Sequence, residues 1–123
     1  MKFTRAFVCA AIFAVTLLSQ PAYADDYLLI NLVSYTTPES HKAIDYAKSE
    51  LKKGRSVIVY LEEASVMVAA KSNAQQFQKQ QRNLKELIAN GAIVAVCPHC
   101  LKRYKIGADD LLNGVQVAEM RNE

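Results

Sequence analysis

Residues 91–100 read Gly-Ala-Ile-Val-Ala-Val-Cys-Pro-His-Cys, and this stretch decides the fold. The apolar run Ala92–Val96 has the length and composition of a buried β-strand. It leads directly into Cys97, and Pro98 suits the first position of a helix because a proline there loses no hydrogen bond. The stretch therefore predicts a strand that ends at a cysteine and turns at once into a short helix over residues 97–104.

Two further strands are predicted upstream, because Tyr27–Ser34 and Ser56–Leu61 are near-continuous apolar runs of strand length. A helix is predicted between them. Its start carries a threonine cap, a proline in the first turn and a glutamate, in the order Thr36, Thr37, Pro38, Glu39. Its apolar positions share one face, and a glycine ends it: Ile44, Ala47, Leu51 and Gly54.

The region between the second strand and residue 91 is predicted to contain a loop with a helical turn or two over residues 62–70. Asn73 then predicts the N-cap of a long helix that stops before Gly91. Its apolar face would hold Phe77, Leu84, Leu87 and Ile88. After the cysteines, a helical turn over residues 109–112 and a weak strand over residues 115–118 are predicted.

Strands that alternate with helices indicate right-handed βαβ units and a parallel sheet. We predict a single three-layer α/β domain over residues 25–123, with about four to five strands. In such sheets, ligands bind beyond the carboxyl ends of the strands. These ends are residues 34–37, residues 61–63 and Cys97 itself, so the cysteines lie where this fold would place a site.

The N-terminus is predicted to be a cleaved secretory signal peptide over residues 1–24. Lys2 and Arg5 precede an apolar run at residues 6–18 that is too short to span a bilayer. The Ala22-Tyr23-Ala24 pattern that follows is typical of signal peptidase sites, so the mature chain would begin at Asp25 in the periplasm. An uncleaved membrane anchor is the alternative interpretation.

The mature chain would hold 99 residues, with 13 basic residues against 12 acidic ones. This near-neutral charge argues against a nucleic-acid partner, and no membrane contact is expected after cleavage. A domain of this size has a modest core, which favours oligomerisation. Cys9 would be removed with the signal peptide, so only Cys97 and Cys100 would remain. A disulfide between cysteines three residues apart closes almost no loop, so it would add little stability to the fold.

Cys97 and Cys100 are predicted to act together as a dithiol. A thiol at the start of a helix faces unpaired backbone N–H groups, which favour the thiolate, and the second thiol lies on the same helical face. The alternative is a purely structural role, in which both cysteines are buried and act as small hydrophobic residues. Thiol–disulfide exchange is a further alternative, because C-P-H-C also occurs in thioredoxin-type oxidants, although there the motif lies early in the chain.

Three neighbours are candidate third ligands for a metal held by the dithiol. His99 lies inside the motif, His41 lies in the first turn of the first helix, and Met67 is a thioether after the second strand. Solvated histidines and a core methionine are the alternative interpretations. No closed zinc site is expected, because a structural zinc needs four ligands. Glu62 and Glu63 could form a pair of acids, but at least one of them is expected to be solvated.

From Tyr27 onward the chain resembles the DsrE/DsrF-like family. The resemblance is carried by residues 91–102, by Gly107 and by the segment Asp110-Leu-Leu-Asn-Gly-Val115. It implies a flavodoxin-like parallel sheet and a trimer, or a hexamer of two trimers. It also implies that a cysteine at the position of Cys97 or Cys100 carries sulfane sulfur in a relay.

Three functions follow, and all describe a binding or carrier protein more than an enzyme. The first is an exported carrier of Cu(I), because two thiolates suit this soft ion and would be protected by it in an oxidising compartment. The second is a persulfide relay, as the resemblance implies, and the third is thiol–disulfide exchange. The partner would be a protein that donates or accepts copper or sulfur.

Overall fold

The computed structural model describes residues 27–119, so the predicted signal peptide and Asp25 lie outside the described residues. In the described part of the chain, one sheet has the strand order β1-β2-β3-β4, and every neighbouring pair is parallel. Its strands are β1 (Tyr27–Leu32), β2 (Ser56–Leu61), β3 (Ile93–Val96) and β4 (Val115–Val117). The predicted α/β class with a parallel sheet of about four strands is confirmed.

The segments between the strands are helical. The α-helices are α1 (Pro38–Lys52), α2 (Gln78–Ala89) and α3 (Pro98–Arg103). The 3₁₀ helices are η1 (Glu63–Ala69), η2 (Lys71–Asn73) and η3 (Ala108–Asp110). Among residues 27–119, no helix is long and apolar enough to cross a membrane.

Helix α1 begins and ends where the sequence predicts. The Thr37 hydroxyl accepts a hydrogen bond from the Ser40 backbone N–H at 3.2 Å, and Pro38 takes the first helical position. After the last turn, Gly54 has a φ of +88°, a conformation that a residue with a Cβ atom rarely adopts. The helix is therefore set by local sequence at both ends.

The predicted start of α2 at Asn73 is wrong. Asn73 belongs to η2, and its side-chain amide donates to the Met67 carbonyl oxygen at 2.9 Å. The helix begins at Gln78, after Phe77, which makes no side-chain capping bond. The asparagine side chain thus donates to a carbonyl oxygen of the preceding 3₁₀ turns, instead of accepting from the backbone N–H groups at the start of the next helix.

One face of the sheet carries the core. Alternate strand residues that point to this face are almost fully buried: Leu32, Val57, Val59, Leu61, Val94 and Val96. Helices α1 and α2 contact each other as well as the strands, so they lie on this same side. This agrees with right-handed crossovers. Because the order of the strands across the sheet follows their order in the sequence, right-handed connections place successive helices on the same face.

The opposite face of the sheet carries apolar side chains that the described helices do not cover. Leu29 is 53% exposed and Ile93 is 43% exposed, and both are level with Ile58 in the strand register. We call Tyr27, Leu29, Ile58, Tyr60, Ile93 and Ala95 the open face. Within residues 27–119 the helical cover is therefore one layer, and the second helical layer of the predicted three-layer arrangement is not among the described elements.

Candidate functional site

Cys97 lies at the carboxyl end of β3, in the interior of the sheet. Its backbone N–H donates to the Leu61 carbonyl oxygen at 2.9 Å, which continues the pairing of β2 and β3 by one residue. It is also the N-cap of α3, with Pro98 at the first helical position. The change from strand to helix at this residue is the one that the sequence predicts, and it aims the thiol at the edge where α/β proteins bind ligands.

The Cys97 sulfur is surrounded by hydrogen-bond donors. The Cys100 backbone N–H points at Cys97 Sγ at 3.4 Å, and the His99 backbone N–H, the Cys100 thiol and the Tyr60 hydroxyl also donate to it. Desolvation is the largest single influence on its pKa and raises it, but these hydrogen bonds together outweigh it. The net effect lowers the pKa of Cys97, so its thiolate is favoured.

Cys100 has the opposite environment. Its side chain is only 5% exposed and belongs to the core cluster beneath the sheet edge. Burial raises the pKa of Cys100, and the hydrogen bond and charge of Cys97 raise it further. The two thiols therefore differ: Cys97 favours the anion, and Cys100 stays a protonated donor beside it.

Tyr60 is a site residue that the sequence analysis missed. It lies near the end of β2 on the open face, and burial raises its pKa to about 12, with the hydrogen bond to Cys97 adding to the shift. Its hydroxyl therefore stays protonated and can donate to the thiolate. The register of β2 against β3 could have revealed it, because Tyr60 pairs with Ala95, two residues before Cys97.

The loop after β2 supplies a donor to the second thiol. Glu63 has a φ of 53°, which is unusual for a residue with a Cβ atom, and its backbone N–H donates to Cys100 Sγ at 3.2 Å. The exposed Glu63 carboxylate forms an ion pair with Arg103 at 2.8 Å. The prediction that at least one of the two adjacent glutamates is solvated is consistent with this geometry.

A buried serine fixes this loop to the sheet. The Ser65 side chain is 1% exposed, and its hydroxyl lies 2.6 Å from the Leu32 carbonyl oxygen and 2.7 Å from that of Glu62. These contacts join the carboxyl ends of β1 and β2. The backbone at Glu63 is held in its strained conformation by this anchor on one side and by the Cys100 sulfur on the other.

The other candidate ligands are placed on different elements. His99 is exposed on α3, His41 is half-buried on α1, and Met67 is half-buried on η1. Among residues 27–119, no group of three or more histidine, cysteine or acidic side chains gathers where it could hold a metal ion. Within the described part of the chain, the ligands that lie together and could bind a soft ion are therefore the sulfurs of Cys97 and Cys100.

The fold and the site together define an α/β protein with an unsymmetrical dithiol at the carboxyl edge of a parallel sheet. The chain belongs to the DsrE/DsrF-like family, whose model matches residues 27–122. It is 30% identical over 96 residues to the uncharacterised protein MJ0989 of Methanocaldococcus jannaschii, covering 77% of this chain and 84% of that protein. It is 26% identical to the uncharacterised protein MK0008 of Methanopyrus kandleri, with 77% and 79% coverage.

Solved structures share the fold. The protein of unknown function MTH1491 from Methanobacterium thermoautotrophicum superposes with a TM-score of 0.62 at 18% identity, over 76% of this chain and 83% of that one. The ychN protein of E. coli gives the same TM-score, identity and coverage. At this identity the likeness concerns the fold alone, and it confirms the predicted α/β fold class. The predicted family is confirmed by the match of the family model.

Proposed function

We propose that the protein carries sulfane sulfur as a persulfide on Cys97. The observation that supports this most directly is the set of donors around Cys97 Sγ, which lower its pKa and favour the nucleophilic thiolate. Cys97 is half-buried rather than enclosed, so a donor protein or a polysulfide can reach it. Membership of a family associated with sulfur relay points to the same cargo.

Persulfide loading tests this proposal. The reduced protein would be mixed anaerobically with inorganic polysulfide, desalted and weighed intact by mass spectrometry. We expect Cys100→Ser to gain and keep about 32 Da, one sulfur atom. Cys97→Ser should not gain it. Equal loading of Cys97→Ser and Cys100→Ser would overturn the assignment to Cys97.

Cu(I) binding by the dithiol is the second candidate, and the hydrogen-bonded pair of sulfurs favours it. Two soft sulfur donors suit Cu(I), with His99, His41 or Met67 as possible completing ligands after rearrangement. In anaerobic competition with a Cu(I) chelator, Cys97→Ser and Cys100→Ser should each weaken binding by orders of magnitude. His99→Ala or Met67→Leu should weaken binding less, and only if that side chain supplies the third ligand. Equal, weak binding by the wild type and both serine variants would remove the copper proposal.

We propose further that the mature protein starts at Asp25 and works in the periplasm with a sulfur-donating or sulfur-accepting protein. The N-terminal mass of protein recovered from the periplasm tests this directly. A species that retains residues 1–24 there would contradict the cleavage.

Self-association, with a trimer or a hexamer as the expected state, is also proposed. The open face supports it, because exposed apolar side chains such as Leu29 and Ile93 form a patch on one side of the sheet. Light scattering at micromolar concentration measures the mass in solution, and a stable monomer would contradict the proposal.

A further inference from the structure

Cys100 has features that the carriage of one sulfur atom does not require. A carrier needs one accessible thiol, and Cys97 provides it. Cys100 is 5% exposed, its backbone N–H lies 3.4 Å from Cys97 Sγ, and its thiol donates a hydrogen bond to the same sulfur. The second sulfur is therefore held against the inner atom of any persulfide that forms on Cys97.

The protein also maintains a donor for the Cys100 sulfur. The Glu63 backbone N–H lies 3.2 Å from Cys100 Sγ, in a loop where Glu63 adopts a positive φ and the Ser65 hydroxyl anchors the chain. A backbone N–H at this distance stabilises negative charge on the sulfur as it becomes a nucleophile. The loop contact therefore opposes the burial that raises the pKa of Cys100, and it supports this sulfur once its proton is lost.

We propose, on the basis of the persulfide function above, that Cys100 discharges the persulfide on Cys97 and releases its outer sulfur as hydrosulfide. The Cys100 sulfur attacks Cys97 Sγ, and a Cys97–Cys100 disulfide bond forms. The bond between Cys97 Sγ and the outer sulfur breaks, and its electron pair leaves with the outer sulfur. The proton of the Cys100 thiol ends on the departing hydrosulfide, so a persulfide anion and a thiol give a disulfide and one hydrosulfide ion.

In this step the outer sulfur is reduced, and the two cysteines are oxidised. Another turnover then needs a reductant of the dithiol class, because the disulfide must be reopened. That reductant would attack Cys97 Sγ, which is the more accessible sulfur, and would free Cys100 first. The difference in burial thus fixes both the order of release and the cysteine that forms the mixed disulfide.

The test follows sulfide and protein mass together after anaerobic loading with inorganic polysulfide and desalting. For the wild type we expect release of hydrosulfide up to one per chain, while the intact mass moves from the persulfide to that of the protein lacking two hydrogens. Cys100→Ser and Cys100→Ala should keep the persulfide and release sulfide orders of magnitude more slowly, until an external dithiol is added. Lys102→Ala, an exposed change on the same helix, should behave like the wild type.

The outcomes separate this inference from the proposed function. If Cys100→Ser and Cys100→Ala load sulfur and the wild type also keeps a long-lived persulfide, Cys100 does not discharge it and only the carrier function stands. If both Cys100 variants release sulfide at the wild-type rate, the discharge step is likewise overturned. If Cys100→Ala fails to load while its circular dichroism spectrum is native, the persulfide function itself fails.

Discussion

The two faces of the sheet have the same strands and similar apolar residues but opposite surroundings. In β1, Leu32 points to the core and is 4% exposed, whereas Leu29 points to the open face and is 53% exposed. In β3, the core-facing Val94 is fully buried, whereas its neighbour Ile93 is 43% exposed. Hydrophobicity alone therefore does not tell which strand face is packed.

The dithiol lies at the boundary between these two faces. Cys100 belongs to the core cluster under the sheet edge, while Tyr60, the partner of Cys97, lies on the open face. Burial raises the pKa of Cys100, whereas donors from Cys100 on the core side and Tyr60 on the open face together lower that of Cys97. The thiolate at Cys97 is therefore supported from both sides of the sheet.

The largest expected effect concerns the matched leucines of β1. Leu32→Ala should lower the free energy of unfolding by about 2–5 kcal/mol, because it opens a cavity in the core. Leu29→Ala on the open face should change it by about 0.5 kcal/mol or less in dilute protein. Urea titrations followed by circular dichroism measure both. Equal losses for the two variants would mean that the open face is packed within a single chain.

A smaller effect is expected at the loop anchor. Ser65→Ala removes a buried hydroxyl that contacts two carbonyl oxygens, which should cost about 1–3 kcal/mol of unfolding free energy. Ser72→Ala is the control, because this serine contacts the Asp110 carboxylate at an exposed position and should cost about 1 kcal/mol or less. Equal costs for the two serines in the same urea titrations would show that the anchor does not depend on burial.

Local patterns were sufficient for much of the fold. Strands β1 to β3 were recognisable as apolar runs, and α1 was bounded by Thr37 and Gly54, because these signals act over a few residues. The pattern failed at Asn73, where the side chain satisfies a carbonyl six residues earlier instead of capping the helix ahead. A short polar side chain has several local partners of similar energy, and sequence alone does not choose among them.

The site was predicted only in part, because the sequence gives local contacts more readily than contacts between distant residues. The positions of Cys97 and Cys100 follow from a strand that runs into a helix, which is local information. Tyr60 and Glu63 lie 37 residues before the cysteines that they contact, and they reach them only through the β2–β3 register. Contacts across a sheet depend on register, so the sequence predicted the dithiol but not its donors.

The Tyr60 hydroxyl should set the pH at which Cys97 reacts. Tyr60→Phe removes one donor, so the pKa of Cys97 should rise and the midpoint of its alkylation rate should move to higher pH. The rate is followed with iodoacetamide on a Cys100→Ser chain of residues 25–123, in which Cys97 is the one remaining thiol. Tyr46→Phe, on the exposed surface of α1, is the control and should leave the midpoint unchanged.

The same substitution has a predictable effect on stability. Because the pKa of Cys97 is lowered in the folded protein, its thiolate contributes stability that is present above the pKa of an unfolded thiol. That contribution is lost as the pH falls through the lowered pKa, and Tyr60→Phe should reduce it. An unchanged alkylation midpoint and an unchanged pH dependence of unfolding would show that Tyr60 does not act on the thiolate.

The smallest expected effect within one chain lies on the open face, and it tests what covers that face. The double variant Leu29→Gln, Ile93→Gln should change the unfolding free energy of dilute protein by about 1 kcal/mol or less, since both side chains already contact solvent. If copies of the chain associate through this face, the loss should grow with protein concentration, because association stabilises only the folded wild type. Residues 25–123 hold 13 basic and 12 acidic residues, and this near-neutral charge opposes such contact little. Light scattering and urea titrations over a range of concentrations measure both effects, with Tyr46→Gln as the exposed control. If the mass and stability of the wild type do not depend on concentration, copies of the chain do not associate through the open face. A different protein would then have to cover this face, and the proposed persulfide chemistry at Cys97 would take place on a monomer.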